Sequence, residues 1–200
     1  MSIHEFSNYD LGIIWALGSN TDINKFSFRH KERYFLERLS PYFNNKIYHQ
    51  NRTKKSDDMQ YVLKVSGVDL QELHDMGWTK RTADRRNLPE LPDYRDFLRA
   101  YIEIHSSLDY STRYSREKQR YKYRSLRLRI YGNVNLNESI NRILAQEAGC
   151  TIKSVQVLSN EKTSILNYAS AREIEDIFSY LHGTPSFEKF WEDVRYKLDN

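Results

Sequence analysis

The sequence predicts an α+β protein in which one unit of roughly a hundred residues occurs twice in tandem. Three observations lead there. Stretches of helical and of alternating hydrophobic spacing succeed one another along the chain, and the same succession starts again after Pro89 and Pro92. Residues 60–77 (QYVLKVSGVDLQELHDMG) and 163–183 (TSILNYASAREIEDIFSYLHG) also share a pattern: a strand, a small-residue turn and an acidic amphipathic helix ending in glycine.

The first element is residues 9–18. Leu11, Ile13, Ile14, Trp15 and Leu17 follow one another almost without polar interruption, and Gly18-Ser19-Asn20 reads as a helix stop. A helix apolar nearly all round belongs in a core. Residues 25–29 alternate, with Phe26 and Phe28 on one face and Lys25, Ser27 and Arg29 on the other, as a half-buried strand does. Helical spacing returns over 31–43, strands follow at 46–52 and 60–65, and a short helix runs from Val68 to Gly77. The second copy predicts a helix over 97–107, a polar stretch, a strand over 123–131, a helix over 136–148, strands over 152–158 and 164–168, and a helix over 171–181. This places a first half at 1–88, a linker at 89–93, a second half at 94–183 and an additional helix at 184–200.

Two hundred residues suffice for a core without disulfides or structural metal, and 15 Tyr in a chain that is 14% aromatic argue against disorder. Cys150 is the single cysteine, so no internal bridge can form, and no stretch is apolar enough for a signal peptide or a membrane span. The expectation is a cytoplasmic monomer with no membrane association. Cys150 itself reads as a small core residue.

The net charge of +4 is modest, but its distribution is uneven. Between 110 and 131, eight basic side chains stand against Glu117 alone, about +7, with Tyr110, Tyr114, Tyr121, Tyr123 and Tyr131 interleaved. A second basic stretch, Lys80, Arg81, Arg85 and Arg86, precedes the prolines. Any one such strand is also what the solvated face of an antiparallel sheet looks like. Recurrence in both halves favours a polyanion instead, because long cationic and amide side chains at every second position suit a β-surface laid in the major groove of duplex DNA. The residues expected to contact nucleic acid are Lys25, Arg29, Lys46, Tyr48, Gln50, Arg52, Lys64, Lys80, Arg81, Arg113, Arg120, Lys122, Tyr123, Arg127 and Arg129. A tandem pair of similar units also suits the twofold symmetry of a duplex.

The helices at 9–19 (YDLGIIWALGS) and 97–107 (FLRAYIEIHSS) resemble the two motifs of single-chain LAGLIDADG homing endonucleases, and the elements between them match in order over residues 9–183. The resemblance implies αββαββα units related by a pseudo-twofold axis, with saddle-shaped antiparallel sheets holding double-stranded DNA. It also implies motif helices packed side by side, a role that Gly12, Ala16 and Ala100 fit, whereas Ile104 is bulkier than the pattern asks.

The same resemblance implies two divalent metals held between carboxylates, one from each motif. Here those positions are Leu17 and His105. Leucine offers no ligand atom, and imidazole suits softer metals than Mg²⁺. Three nearby acids could relocate the function: Asp22, Glu103 and Asp109. Glu103, two residues before His105, points about 200° away from it on a helix. The sequence therefore reads as a DNA-binding relative without efficient cleavage and without a cofactor, a regulator or an eroded mobile-element product. One alternative is an active Mg²⁺-dependent endonuclease using the relocated acids. Another is an RNA-binding protein like the intron-splicing maturases, since a Tyr-rich basic surface also stacks on unpaired bases. A protein-interaction module is the third, resting on Phe187, Phe190 and Trp191 in the last helix.

Overall fold

The computed structural model describes residues 5–22, 25–51, 58–66, 71–79, 86–114, 122–159 and 163–199, with the side chains of 20–22, 112–114 and 122–123 left out. The first αββαββα series is α1 (Asn8–Leu17), β1 (Ser19–Asp22), β2 (Lys25–His30), α2 (Tyr34–Phe43), β3 (Ile47–Asn51), β4 (Met59–Ser66) and α3 (Gln71–Asp75). The second is α4 (Arg95–His105), β5 (Ser106–Tyr114), β6 (Lys122–Gly132), α5 (Val134–Glu147), β7 (Gln156–Val157), β8 (Ser164–Tyr168) and α6 (Ala171–Leu181), and α7 (Glu188–Leu198) follows it. Each series forms one antiparallel sheet, in the order β1-β2-β4-β3 and β5-β6-β8-β7. The chain divides into compact units at 1–104 and 105–200. No described helix is long and apolar enough to cross a membrane.

In the first unit, Ser7 caps α1 by accepting the Asp10 N–H at 3.1 Å, and every residue from Tyr9 to Leu17 is buried, as its apolar periphery requires. Phe26 and Phe28 of β2 and Leu63 and Val65 of β4 face inward beneath Phe35, Leu36 and Leu39 of α2. Trp78 completes this core, 4.8 Å from the Phe26 ring centroid. Helix α4 packs on α1 at Gly12. A Cβ added there would lie 2.4 Å from the Phe97 carbonyl oxygen and 2.9 Å from the Ala100 Cβ, so the absence of a side chain sets how closely the helices approach.

Asp10, fully buried at the start of α1, would be costly without partners. It accepts from Ser7 Oγ at 2.6 Å, Tyr42 Oη at 2.8 Å and Arg38 Nε at 3.0 Å, which fastens α2 to α1. In the second unit two buried asparagines of α5 do the fastening. Asn137 Nδ2 donates to Ser164 Oγ at 2.8 Å and to the Ile130 carbonyl at 3.3 Å, bridging β6 and β8. Asn141 Nδ2 donates to the Lys153 carbonyl at 2.6 Å, and Asn141 Oδ1 accepts the Lys153 N–H at 3.1 Å.

Those last two bonds explain one departure from expectation. The strand anticipated over 152–158 is reduced to Gln156–Val157, because the backbone before it is held at Lys153 by the Asn141 side chain of α5 instead of a ladder. Strands β1 and β5, taken from sequence as helix stop and polar stretch, are both present and pair along β2 and β6. Helix α7 turns inward: Trp191 and Val194 are buried, the Trp191 ring lies 5.6 Å from that of Phe178, and Lys197 Nζ donates to the Leu108 carbonyl at 2.8 Å. Trp191 serves the core and Phe190 packs beside it against Phe178, while Phe187 is half-buried, so the protein-interaction reading loses much of its support.

The α1–α4 contact is testable. Gly12→Ala should destabilise the protein by about 2 kcal/mol, because overpacking against a backbone carbonyl outweighs the roughly 1 kcal/mol that alanine gains over glycine inside a helix. Thermal denaturation checks it, and an unchanged or raised Tm would show that α4 yields without cost.

Candidate nucleic-acid interface

Paired residues of an antiparallel sheet share a face. In the first sheet the register therefore places Lys25, Ser27, Arg29, Tyr48, Gln50, Gln60, Val62 and Lys64 together, opposite the face that carries Phe26, Phe28, Leu63 and Val65. Lys25, Arg29, Lys46, Gln50 and Lys64 are exposed, and Tyr48 is 54% exposed. Ser27 departs from expectation. It lies on this outer face yet is only 4% exposed.

The second sheet is arranged differently. Asp109 of β5 stands opposite Arg127 of β6, and its two oxygens take the two arginines: Arg127 Nε donates to Oδ1 at 3.0 Å, and Arg129 donates to Oδ2. Both arginines are half-buried rather than projecting freely. Burial alone would raise the Asp109 carboxyl. The hydrogen bond from Arg127 and the charges of both arginines outweigh it and hold the group below the usual carboxylate range. Beside them, Arg129 stacks on the Tyr131 ring at 5.8 Å.

At the two motif positions, Leu17 is buried at the end of α1 and His105 is half-buried at the end of α4. The most informative residue is one that sequence reasoning placed among surface cations. Arg86 is 3% exposed, with its guanidinium at the C-terminal end of α1. It donates to the Trp15 carbonyl at 2.6 Å, the Gly18 carbonyl at 3.3 Å and the Thr79 carbonyl at 2.9 Å, and it lies 4.7 Å over the Trp78 ring. The signal for it was indirect: a buried helix end leaves carbonyls that need donors, and a cation suits the negative end of the helix dipole.

The relocated acids are engaged elsewhere wherever their side chains are described. Glu103 is buried and accepts the Tyr9 hydroxyl at 2.5 Å; burial, with the Glu103 charge and this hydrogen bond added, pushes the Tyr9 phenol far above its ordinary range. Asp109 is clamped as above, and the Asp22 side chain lies outside the description. Among the described residues, no group of three or more His, Cys, Asp or Glu converges as metal ligands would. Cys150 is buried, and burial pushes its thiol up to about 11, which leaves it inert near neutrality. Arg52, Lys80, Arg81 and Arg120, and the side chains of Arg113, Lys122 and Tyr123, also lie outside the described residues.

No family model and no curated protein matches the chain. Solved structures do share its fold. The I-LtrWI LAGLIDADG homing endonuclease bound to target DNA is 14% identical, with 96% of this chain and 89% of that one covered at a TM-score of 0.64. I-SmaMI bound to an uncleaved DNA target in the presence of calcium ions is 12% identical, covering 96% and 90% at a TM-score of 0.61. I-GzeII in complex with its DNA target is 14% identical, covering 96% and 89% at a TM-score of 0.56. At these identities the likeness is one of fold.

The Asp109 clamp makes a prediction about pH. A carboxylate whose folded value is depressed adds stability above its unfolded value, about 4, and that stability is lost as pH falls through the folded value. Glu173, held low by Lys153 and Thr151 against the opposing effect of burial, acts in the same direction. Melting temperature should therefore fall steeply below about pH 4, and Asp109→Asn should flatten that limb while lowering stability at neutral pH. An unaltered acid limb in Asp109→Asn would show that the clamp contributes nothing.

Proposed function

We propose, for a chain carrying the two-unit fold of the LAGLIDADG homing endonucleases, that it binds duplex DNA through its outer sheet faces and does not cut it with Mg²⁺. The observation that carries the binding half is the outer face of the first sheet. Lys25, Arg29, Lys46 and Lys64 stand exposed around Tyr48 and Gln50, with no acidic residue on β2, β3 or β4 among them, on a fold whose solved examples hold their DNA targets. Lysine and arginine reach phosphates, and arginine and glutamine also reach base edges.

The residues at the motif positions do not fit the metal site that this fold supports elsewhere. Mg²⁺ needs carboxylate oxygen, and Leu17 has none. Arg86 places a fixed positive charge among the carbonyls at the end of the same helix, which opposes a second cation there. Glu103 and Asp109 are each committed to partners, Tyr9 in one case and two arginines in the other. A protein that grips a site without cutting it acts by occupancy, as a regulator of that site or as the remnant of a mobile element.

Binding is tested by fluorescence anisotropy on duplexes selected from a random pool. The Lys25→Ala, Arg29→Ala, Lys64→Ala triple variant should bind more weakly and lose up to about 3 units from the salt slope, near 0.9 per phosphate contact removed. Arg127→Ala with Arg129→Ala should reduce the slope less, because Asp109 already neutralises part of that pair. Unchanged affinity in the folded triple variant, or a preference for single-stranded RNA over any duplex, would overturn the reading.

Cleavage is tested on a plasmid carrying the selected site. Wild-type protein in Mg²⁺ should leave it unbroken at saturating occupancy. Chelator-sensitive double-strand breaks at the site would contradict the proposal, and their loss in Asp22→Asn would locate the acid responsible.

A further inference from the structure

The first sheet holds a polar atom that its own fold leaves unsatisfied. Ser27 sits on β2 between Lys25 and Arg29, and strand alternation turns it to their face, where its register partners are Ser19 on β1 and Lys64 on β4. It is 4% exposed, and its Oγ is buried without a hydrogen-bond partner among the described residues. An unpaired buried hydroxyl lowers stability, and alanine would fit the same place without that cost. The hydroxyl borders a cavity of about 250 Å³, lined by Lys25, Arg29, Lys64 and Ser66 among others.

We propose that this cavity is a recognition pocket for the acceptor edge of a guanine, with the Ser27 hydroxyl donating at its floor and the cations closing over it. The inference rests on the duplex-binding reading above. Among the described residues the polar wall supplies hydrogen-bond donors from Lys25, Ser27, Arg29, Lys64 and Ser66 and no carboxylate, so it suits a ligand rich in acceptors. Among the bases, guanine alone presents two adjacent acceptors, N7 and O6, in the major groove. Adenine would oppose its N6 amino donor to the cations, cytosine likewise its N4, and thymine offers one acceptor beside a methyl group. Position argues for a base edge over a phosphate. β2 and β4 are the inner strands, with β1 and β3 outside them, so across the sheet the pocket lies on the central pair, at the end of their ladder where Lys25 pairs with Ser66, and a duplex laid across the face would bring a base edge there sooner than to the outer strands.

The burial of Ser27 gives the pocket a second property. Lys25, Arg29 and Lys64 are long and exposed, and they can move aside on binding at little cost. Ser27 is held in a strand paired on both sides, so its Cβ is fixed in place before the ligand arrives and only rotation of the short side chain remains.

The test uses the full chain and the duplex that wild-type protein selects from a random pool. Ser27→Ala should melt at the same temperature as wild type or higher, yet bind the selected duplex about three- to tenfold more weakly, the value of one hydrogen bond. Its preference should relax at a single G·C pair. Replacing that guanine with 7-deazaguanine, which lacks the N7 acceptor, should weaken wild-type binding by a similar factor and leave Ser27→Ala unaffected. The 7-deazaguanine scan on wild type gives an answer even where the variant folds poorly. Equal affinity of the two proteins for the selected duplex, or equal 7-deazaguanine penalties at every position, would overturn the pocket and leave duplex binding standing. A wild-type protein that selects no duplex would remove both.

Discussion

The close approach of α1 and α4 at Gly12 is the constraint from which much of the first unit follows. A helix pressed on this side against the Phe97 carbonyl and on its others against β2 and α2 has no face left for water. Its polar groups must then be answered by side chains from elsewhere. Asp10 is answered by Ser7, Tyr42 and Arg38, the Tyr9 hydroxyl by Glu103, the Trp15 indole N–H by the Asn87 carbonyl at 2.8 Å, and the terminal carbonyls by Arg86. The connection around 86–87 is thus a fastening of the core as well as a link between repeats.

The two sheets distribute charge in different ways although their strand orders match. In the first, exposed cations stand apart around a short buried serine, and the face is preserved for whatever negative surface meets it. In the second, Asp109 draws Arg127 and Arg129 into one fork. A paired arginine reads a base with less loss of side-chain entropy than a free one but contributes less to long-range attraction, so Arg127 and Arg129 offer fixed geometry where Lys25, Arg29 and Lys64 offer mobile charge.

Elements with strong periodicity were legible in the sequence: α1 from its unbroken apolar run, β2 from the Phe26-Phe28 alternation, and the repeat of a strand-turn-helix in each half. β1 and β5 were not, because Ser, Thr, Asp and Tyr carry little hydrophobic signal and their extended form depends on pairing with β2 and β6. Side-chain roles were harder still. Nothing local separates Arg86 from Lys80 or Arg81, yet a helix end seventy residues earlier requires it. Ser27 looked like an ordinary outward residue because burial of a short side chain depends on the long ones beside it. Asp109 was read as a candidate ligand for metal, while the register to β6 gives it to two arginines.

Cutting and folding place opposed demands on the end of α1. A buried carboxylate at position 17 would face the negative end of its own helix, a position unfavourable by both desolvation and dipole unless a divalent cation neutralises it. Leu17 removes the charge, and Arg86 supplies a permanent cation to the same carbonyls, so this end of the helix is satisfied without any metal. Neither residue lies on the outer face of the first sheet, and neither change touches Lys25, Arg29, Tyr48 or Lys64. The end of α1 and the outer β-surface thus share no residue among those described, so on the proposed function a change at the helix end leaves the duplex-facing residues untouched.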